Sequence, residues 1–482
     1  MKAKLIFKDE VNVKIEGLDL STRKFLVDKF KFKLPYAYHL PSVKLGRWDG
    51  CVNFFNLGGS TYINLLVDIL PELENRGYDF EIEDNRPPQK TWVFEEVCDT
   101  TYKKFKWPKG HLEARKPIIL RDYQVEIINK FLANPQSIQE VATGAGKTII
   151  TAALSERCEK YGRTMVIVPN KSLVVQTEKD YKILGLDVGV FYGDRKEYGH
   201  KHTICTWQSL NNLFKNTKKG EADIGAFIDG VVCIMIDEVH MAKAEVLKTL
   251  LTGVFSHITI RWGLTGTVPK DNFDFFALKV SIGEVINTLK TSTLQDIKVL
   301  SECHVNIFQF QDYVEFKTYP KELEYLTTEE NRVKYLAKLI QEINQSGNTL
   351  VLVTRVKTGK LLEQMIPNSI FISGATKVAV RSSHYDEVAN VDDKIILATY
   401  GVAAVGINIP RIFNLVLIEP GKSFVRVIQS IGRGIRKAHD KDFVQIWDFT
   451  STCKFSKRHL TKRKAFYKEA NFPFEITKVN WK

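Results

Sequence analysis

The sequence predicts an α/β protein with two doubly wound parallel sheets and a smaller α/β unit ahead of them. Three observations predict it. A chain of 482 residues exceeds one ordinary core, and at about 150 residues per domain it has room for about three. Short, branched apolar runs alternate with helical stretches in two successive series, which is how strands buried on both faces read. A glycine-rich turn near position 145 stands between a strand and a helix, the context in which an open α/β sheet binds phosphate.

Residues 1–88 read as the small unit. Lys2–Phe7, Val11–Ile15, Cys51–Asn56 and Tyr78–Ile82 have strand patterns, and Ser21–Phe30 and Tyr62–Asn75 have helical spacing. The stretch from Asp84 to Lys90, with its paired prolines, breaks the pattern and suits a linker. The first α/β series, assigned to a domain at 89–290, comprises Ser137–Val141, Thr164–Val168, Thr203–Thr206, Val231–Ile236 and Thr259–Leu264. The second, assigned to 291–482, comprises Thr349–Val353, Ser369–Ile372, Lys394–Ala398, Leu415–Ile418 and Val444–Asp448. At the crossing, Phe273–Leu278 and Ile286–Leu294 read as helical and Val305–Phe310 alternates.

Composition narrows the class. Hydrophobic residues at 44% and charged residues at 26% belong to a globular chain and not a disordered one. No apolar run approaches the ~18 residues that span a bilayer, so no membrane partner is expected. The seven cysteines form no Cys-x-x-Cys pair, which indicates neither a zinc site nor a disulfide framework, and a reducing cytoplasm is expected. A net charge of +13 favours a polyanionic partner, because basic surface releases counterions from a phosphate backbone.

The segment Ala142-Thr143-Gly144-Ala145-Gly146-Lys147-Thr148 carries the chemistry. Glycines let backbone amides close around phosphate oxygens, and the helix that starts there adds its positive end. Lys147 is expected to reach the β- and γ-phosphates of ATP, and Thr148 to bind Mg²⁺ through its hydroxyl. Val141 stands where the full phosphate-loop pattern has its first glycine. The run Val231–Ile236 then ends in Asp237-Glu238-Val239-His240, which places two carboxylates at the sheet's ligand-binding edge. Asp237 is expected to hold Mg²⁺, and Glu238 to orient and deprotonate the attacking water. Alone, such an Asp-Glu pair is more often a solvated strand end; downstream of a phosphate loop it reads as an ATPase.

In the order of these motifs the chain resembles the superfamily two DNA helicases over roughly residues 115–450. The resemblance implies two RecA-like motor domains. Gln124, in Leu120-Arg-Asp-Tyr-Gln124, looks like the adenine-reading glutamine. Segments similar to backbone-holding motifs contain Pro169 and Lys171, then Trp207 and Gln208, then Arg355. Leu264–Thr267 looks like the coupling motif, and Ser373–Thr376 resembles a motif early in the second domain. Thr399 and Gly406–Pro410 resemble the motif that touches nucleic acid and nucleotide, through Asn408 and Gly406 respectively. The segment from Gln429 to Arg436 is similar to the arginine-finger helix, with Gln429, Arg433 and Arg436 on the ATP; Ser430 departs from the arginine many relatives carry.

At whole-chain level the small N-terminal unit, the Asp-Glu-Val-His box and the chain size resemble a recombination helicase of phages. That implies action on branched and duplex DNA (Holliday junctions, stalled forks, D-loops) and on RNA–DNA hybrids, in the cytoplasm of a host. It also implies single-strand-binding or recombination accessory proteins as partners, and a monomer is expected. Basic residues between Arg23 and Arg47, Lys31 and Lys33 among them, interleave with Phe25, Phe30, Phe32, Tyr36 and Tyr38 and mark a nucleic-acid contact, although the phenylalanines suit a core equally. A basic C-terminal tail from Lys454 to Lys468, with no acid before Glu469, marks another. Three alternatives stay open: an RNA helicase, a restriction-type translocase subunit, and a non-motor clamp. RNA-stimulated ATPase would distinguish the first and an associated nuclease centre the second. The clamp would show binding without strand displacement.

Overall fold

The computed structural model describes residues 1–34, 36–88, 91–108, 113–238, 244–269, 272–376, 378–388, 391–403, 411–422 and 442–482. Its strands are β1 (Lys2–Phe7), β2 (Asn12–Glu16), β3 (Lys31–Lys33), β4 (Cys51–Asn53), β5 (Ser60–Tyr62), β6 (Asp79–Asp84), β7 (Gln136–Val141), β8 (Arg163–Val168), β9 (Val188–Tyr192), β10 (Arg195–Lys196), β11 (His202–Thr206), β12 (Val231–Asp237), β13 (Ile260–Thr265) and β14 (Glu284–Leu289). They continue as β15 (Glu302–Phe310), β16 (Thr349–Val353), β17 (Ser369–Ile372), β18 (Ile395–Thr399), β19 (Asn414–Ile418), β20 (Phe443–Ser451) and β21 (Phe474–Val479). The chain forms two compact units that part near Thr288–Leu289, with Ala142–Gly146 grouped with the second.

Among the described residues the first unit holds three sheets, the least of them β3 paired with β4 antiparallel. A small one, in the order β5-β2-β1-β6, pairs β1 with β2 antiparallel and with β6 parallel. The large one runs β10-β9-β11-β8-β12-β13-β7-β14, and from β9 to β7 every neighbouring pair is parallel. β8, β11, β12 and β13 are buried along almost their whole length, as strands covered on both faces must be.

The small N-terminal sheet is built onto the large one and shares its core. Phe54, Leu65 and Ile69 pack in one cluster with Phe273, Ala277 and Val280 of the helix Asn272–Ser281. Polar contacts add to it: the Glu10 amide donates to the Ser256 carbonyl at 3.0 Å, and Lys279 pairs with Asp68 at 2.5 Å. This sorts the N-terminal aromatics. Phe30 is buried and Phe32 stacks on Phe276 with ring centroids 4.4 Å apart, so both are core residues, while Tyr36 and Tyr38 are exposed.

The second unit carries a seven-stranded, wholly parallel sheet in the order β17-β18-β16-β19-β20-β15-β21. One expectation needs correction: Ile286–Leu294 is not one helix. Residues 284–289 form β14 on the edge of the first large sheet, and only Thr291–Asp296 is helical. The segment is half-exposed on an edge, where a short apolar run carries no period to separate strand from helix.

Candidate functional site

Parallel strands deliver their carboxyl ends to one edge, and in the first unit that edge gathers several of the segments the sequence points to. Register fixes their neighbours. Thr206 of β11 lies beside Val168 of β8, so Trp207-Gln208 and Pro169–Lys171 emerge side by side. The Gln208 side-chain amide donates to the Pro169 carbonyl at 3.2 Å and ties the two turns together. Asn170 caps the helix Lys171–Ile183 by accepting from the Ser172 and Leu173 amides, which leaves Lys171 exposed at its start. Trp207 is half-buried against the core and Gln208 is exposed.

Next along the edge Asp237 of β12 lies beside Leu264 of β13, and Thr265 beside Glu140 of β7. The phosphate-loop segment follows β7. Gly144 and Gly146 adopt φ of +93° and +86°, left-handed values that strain any side chain, and Lys147 then opens the helix Lys147–Cys158. Thr143 and Ala145 are buried, Thr148 half-buried.

The buried Lys147 ammonium donates to Glu238 Oε1 at 2.7 Å and to the Val141 carbonyl at 3.3 Å. The other Glu238 oxygen accepts from the Gly266 amide at 3.2 Å, and the Glu238 amide donates to Asp237 Oδ1 at 2.9 Å. Glu238 holds φ of +51°, a cost of about 1–3 kcal/mol for a residue with a Cβ. One carboxylate therefore joins three motifs: the phosphate-loop lysine, the acidic strand end and the Thr265–Thr267 turn.

That turn is closed by Thr265 Oγ1, which donates to the Thr267 carbonyl at 2.7 Å, and by the Val268 amide, which donates to Glu140 at 3.1 Å. Glu140 was not singled out in the sequence; it lies in the strand before the phosphate loop, and only the β7–β13 register reveals its place. Thr267 Oγ1 is buried without a hydrogen-bond partner among the described residues. The hydroxyl of Thr148 and the carboxylate of Asp237 are hard oxygen donors of the kind Mg²⁺ takes, so the residues fit that ion. Among the described residues no group of three or more His, Cys, Asp or Glu is arranged to hold a metal by protein ligands alone.

Gln124 is buried at the start of the helix Asp122–Ala133, where its side-chain oxygen accepts from the Arg121 amide at 3.0 Å. Lys31 is not an isolated cation: it pairs with Asp49 at 2.7 Å, whereas Lys33 is exposed on the same strand. In the second unit Val353 of β16 lies beside Thr399 of β18, so Arg355 and Thr399 sit together at the carboxyl edge of that sheet. Gly406, Asn408, Gln429, Arg433 and Arg436 lie outside the described residues.

The carboxyl edge of the second sheet also carries a buried ionic network that no motif announces. Arg332 faces Asp312 at 3.4 Å and Glu419 at 3.3 Å, and the Ser456 hydroxyl lies between Glu322 at 3.0 Å and Glu419 at 3.1 Å. Burial pushes the Glu419 carboxyl up to about 7, although the Arg332 and Arg463 guanidinium groups oppose it. Its members come from five separate stretches of chain, so no local pattern points to it.

Known proteins match the same regions. Residues 117–270 match the family described as type III restriction enzyme, res subunit, and residues 331–438 match the helicase conserved C-terminal domain. The ATP-dependent DNA helicase uvsW of Enterobacteria phage T4 is 25% identical over 488 residues, covering 97% of this chain and 94% of its own. Two solved structures share the fold: the ATP-dependent Type ISP restriction-modification enzyme LlaBIII bound to DNA and the DEAD-box helicase Mss116 bound to single-stranded RNA. The first has a TM-score of 0.57 at 15% identity, covering 86% of this chain and 36% of its own. The second has a TM-score of 0.55 at 15% identity, covering 75% and 76%.

Proposed function

From the premise that this chain is an ATP-hydrolysing helicase of superfamily two, we propose that it is a DNA motor that remodels branched DNA. Its substrates in this reading are four-way junctions, stalled forks, D-loops and RNA–DNA hybrids, met in the cytoplasm of a phage host. Support for DNA comes from the relative that spans nearly the whole chain, an ATP-dependent DNA helicase. The observation that carries the motor reading is the Lys147–Glu238–Gly266 junction.

Lys147 leaves Glu238 for the β- and γ-phosphates when ATP arrives, because a phosphate offers it more negative charge than one carboxylate. Glu238 is then released to orient and deprotonate the attacking water. Thr148 and Asp237 would hold Mg²⁺, whose charge would offset that of the phosphates. Gln124 reads adenine and the backbone at Gly144 and Gly146 closes on phosphate, and the resemblance assigns Gly406 to the nucleotide as well. Gln429, Arg433 and Arg436 serve the γ-phosphate in this reading, and an arginine finger contributes about 10³ to 10⁵ in rate.

Glu238 also bonds the turn that follows β13, so a change at the phosphate reaches Gly266 directly. Pro169, Lys171, Trp207 and Gln208 on the first domain, and Arg355, Thr399 and Asn408 on the second, take the nucleic-acid backbone, and Lys31 and Lys33 extend the contact. Backbone grip gives little sequence preference and strong salt dependence.

A labelled four-way junction incubated with the protein and ATP tests the proposal. Conversion to duplex products with ATP, and none with a non-hydrolysable analogue, is expected. Tight junction binding without conversion under either nucleotide would instead establish the clamp alternative.

A further inference from the structure

The helix Lys454–Glu469 follows β20 and is fastened to the second sheet by buried polar groups. Glu322 accepts from the amides of Phe455 at 3.0 Å and Ser456 at 2.7 Å, and so caps the helix from another element. Arg463 forks onto Asp448 at 2.8 and 3.0 Å and donates to the Gly421 carbonyl at 2.8 Å, while the Tyr467 hydroxyl donates to Asp448 at 2.8 Å. Ser456, Leu460, Arg463 and Tyr467 thus form one buried face. Of the basic residues in this stretch, Arg463 belongs to the interior.

The opposite face is exposed and basic. Lys454, Lys457, Arg458, Lys462 and Lys468 lie on it, and the helix holds no acid before Glu469. Lys454, Arg458 and Lys462 follow one another in steps of about 6 Å. Elsewhere the helices pair such residues one turn away, as in Lys130–Glu126, Lys182–Glu178 and Lys334–Glu330, each at 2.6 Å. Among the described residues no ion pair holds the five on this face. Like charges one turn apart cost about 0.2–0.5 kcal/mol each, and cations in the first turn oppose the helix dipole. Stability gives no reason for this row.

The row adjoins the sheet edge already described. The His459 ring lies 4.6 Å from that of Tyr319, and Arg355 donates to the carbonyl of the next residue, Pro320, at 3.0 Å. His459 itself is held down to about 4 by burial and by Arg463, Lys422 and Lys462, a sign of the concentrated positive field. The aromatic residues of the helix, Phe455, Phe466 and Tyr467, are turned inward or half-buried, so the face lacks the stacking platform that single strands use.

We propose that the outward face of the helix Lys454–Glu469 is a further binding site for the phosphate backbone of duplex DNA, carried by the second motor unit outside every segment that resembles a helicase motif. It rests on the DNA reading given above. The test is fluorescence anisotropy of a labelled blunt duplex without nucleotide, from 50 to about 300 mM salt. Wild type is compared with Lys457→Gln/Arg458→Gln/Lys462→Gln and with the charge-keeping Lys457→Arg/Lys462→Arg.

The glutamine variant is expected to bind more weakly, with a salt slope shallower by roughly 2.7, about 0.9 for each phosphate it no longer neutralises. The arginine variant should match wild type, and DNA-independent ATPase should be unchanged in both. If the triple variant misfolds, Lys462→Gln alone should lower the slope by about 0.9. Wild-type slope and affinity in a folded glutamine variant overturn the inference. So does a loss confined to single-stranded RNA or to phosphatidylserine vesicles. A wild-type protein that binds no duplex at all would overturn the DNA reading itself.

Discussion

Glu238 holds a backbone conformation that costs energy, and its carboxylate meets Lys147 on one side and the Gly266 amide on the other. Such strain persists only where the surroundings impose it. Glu238→Gln is expected to retain ATP binding while kcat falls by roughly 10²- to 10⁴-fold, the usual contribution of a positioned base; equal losses in binding and turnover would assign Glu238 to binding alone. Gly144→Ala puts a Cβ on a backbone at φ of +93° and should weaken ATP binding, read by nucleotide titration. The sequence points to Lys147, Asp237 and Glu238 because phosphate chemistry needs its glycines, lysine and carboxylates at fixed short spacings, and the fold brings Lys147 and Glu238 into contact. Glu419 was not, because its partners Arg332, Asp312 and Ser456 are far away in the chain. With its carboxyl raised from about 4.5 to about 7 in the fold, Glu419 favours folding below pH 4.5, and that contribution is lost as pH rises through 7. The groups around it, Arg332, Arg463, Asp312, Glu322 and the Ser456 hydroxyl, are all buried beside it. Relative to Glu419→Gln, wild type should lose roughly 3 kcal/mol of stability between pH 4.5 and 8, measured by chemical denaturation; parallel pH profiles would contradict this.

Among the elements, the ten strands of the two α/β series read from the sequence were legible because burial on both faces leaves short apolar runs with sharp ends. β9, β10, β14 and β21 were not, and of these β14 and β21 are largely exposed edge strands that keep no such signature. The helix Lys454–Glu469 divides its positive charges by direction: Arg463 anchors inward on Asp448, the others face solvent. Composition alone could not separate them; the spacing of Ser456, Leu460 and Tyr467 on the same face does. Arg463→Ala leaves the Asp448 carboxylate buried without its counter-charge and should cost about 3–5 kcal/mol, seen as a lower unfolding midpoint. A midpoint within a degree of wild type would show that the fork on Asp448 is not what holds the helix.

For the whole molecule, the N-terminal sheet behaves as part of the first motor unit. Phe273, Ala277 and Val280 are covered by residues from before position 80. Removal of residues 1–88 would bare that face, so a chain starting at 89 is expected to aggregate or bind hydrophobic dyes; a soluble fragment with cooperative unfolding would contradict the shared core. Sequence reading separated this unit by its linker, but a shared core between elements about 200 residues apart leaves no trace in either one. In the proposed function the chain is an ATPase driven by branched DNA. Steady-state ATP hydrolysis tests it most directly, measured with no nucleic acid, single-stranded DNA, linear duplex, a four-way junction and single-stranded RNA, with Lys147→Ala beside each. Strongest stimulation by the junction, and an inactive variant, is the expected result; stimulation by single-stranded RNA with none by branched DNA would contradict it.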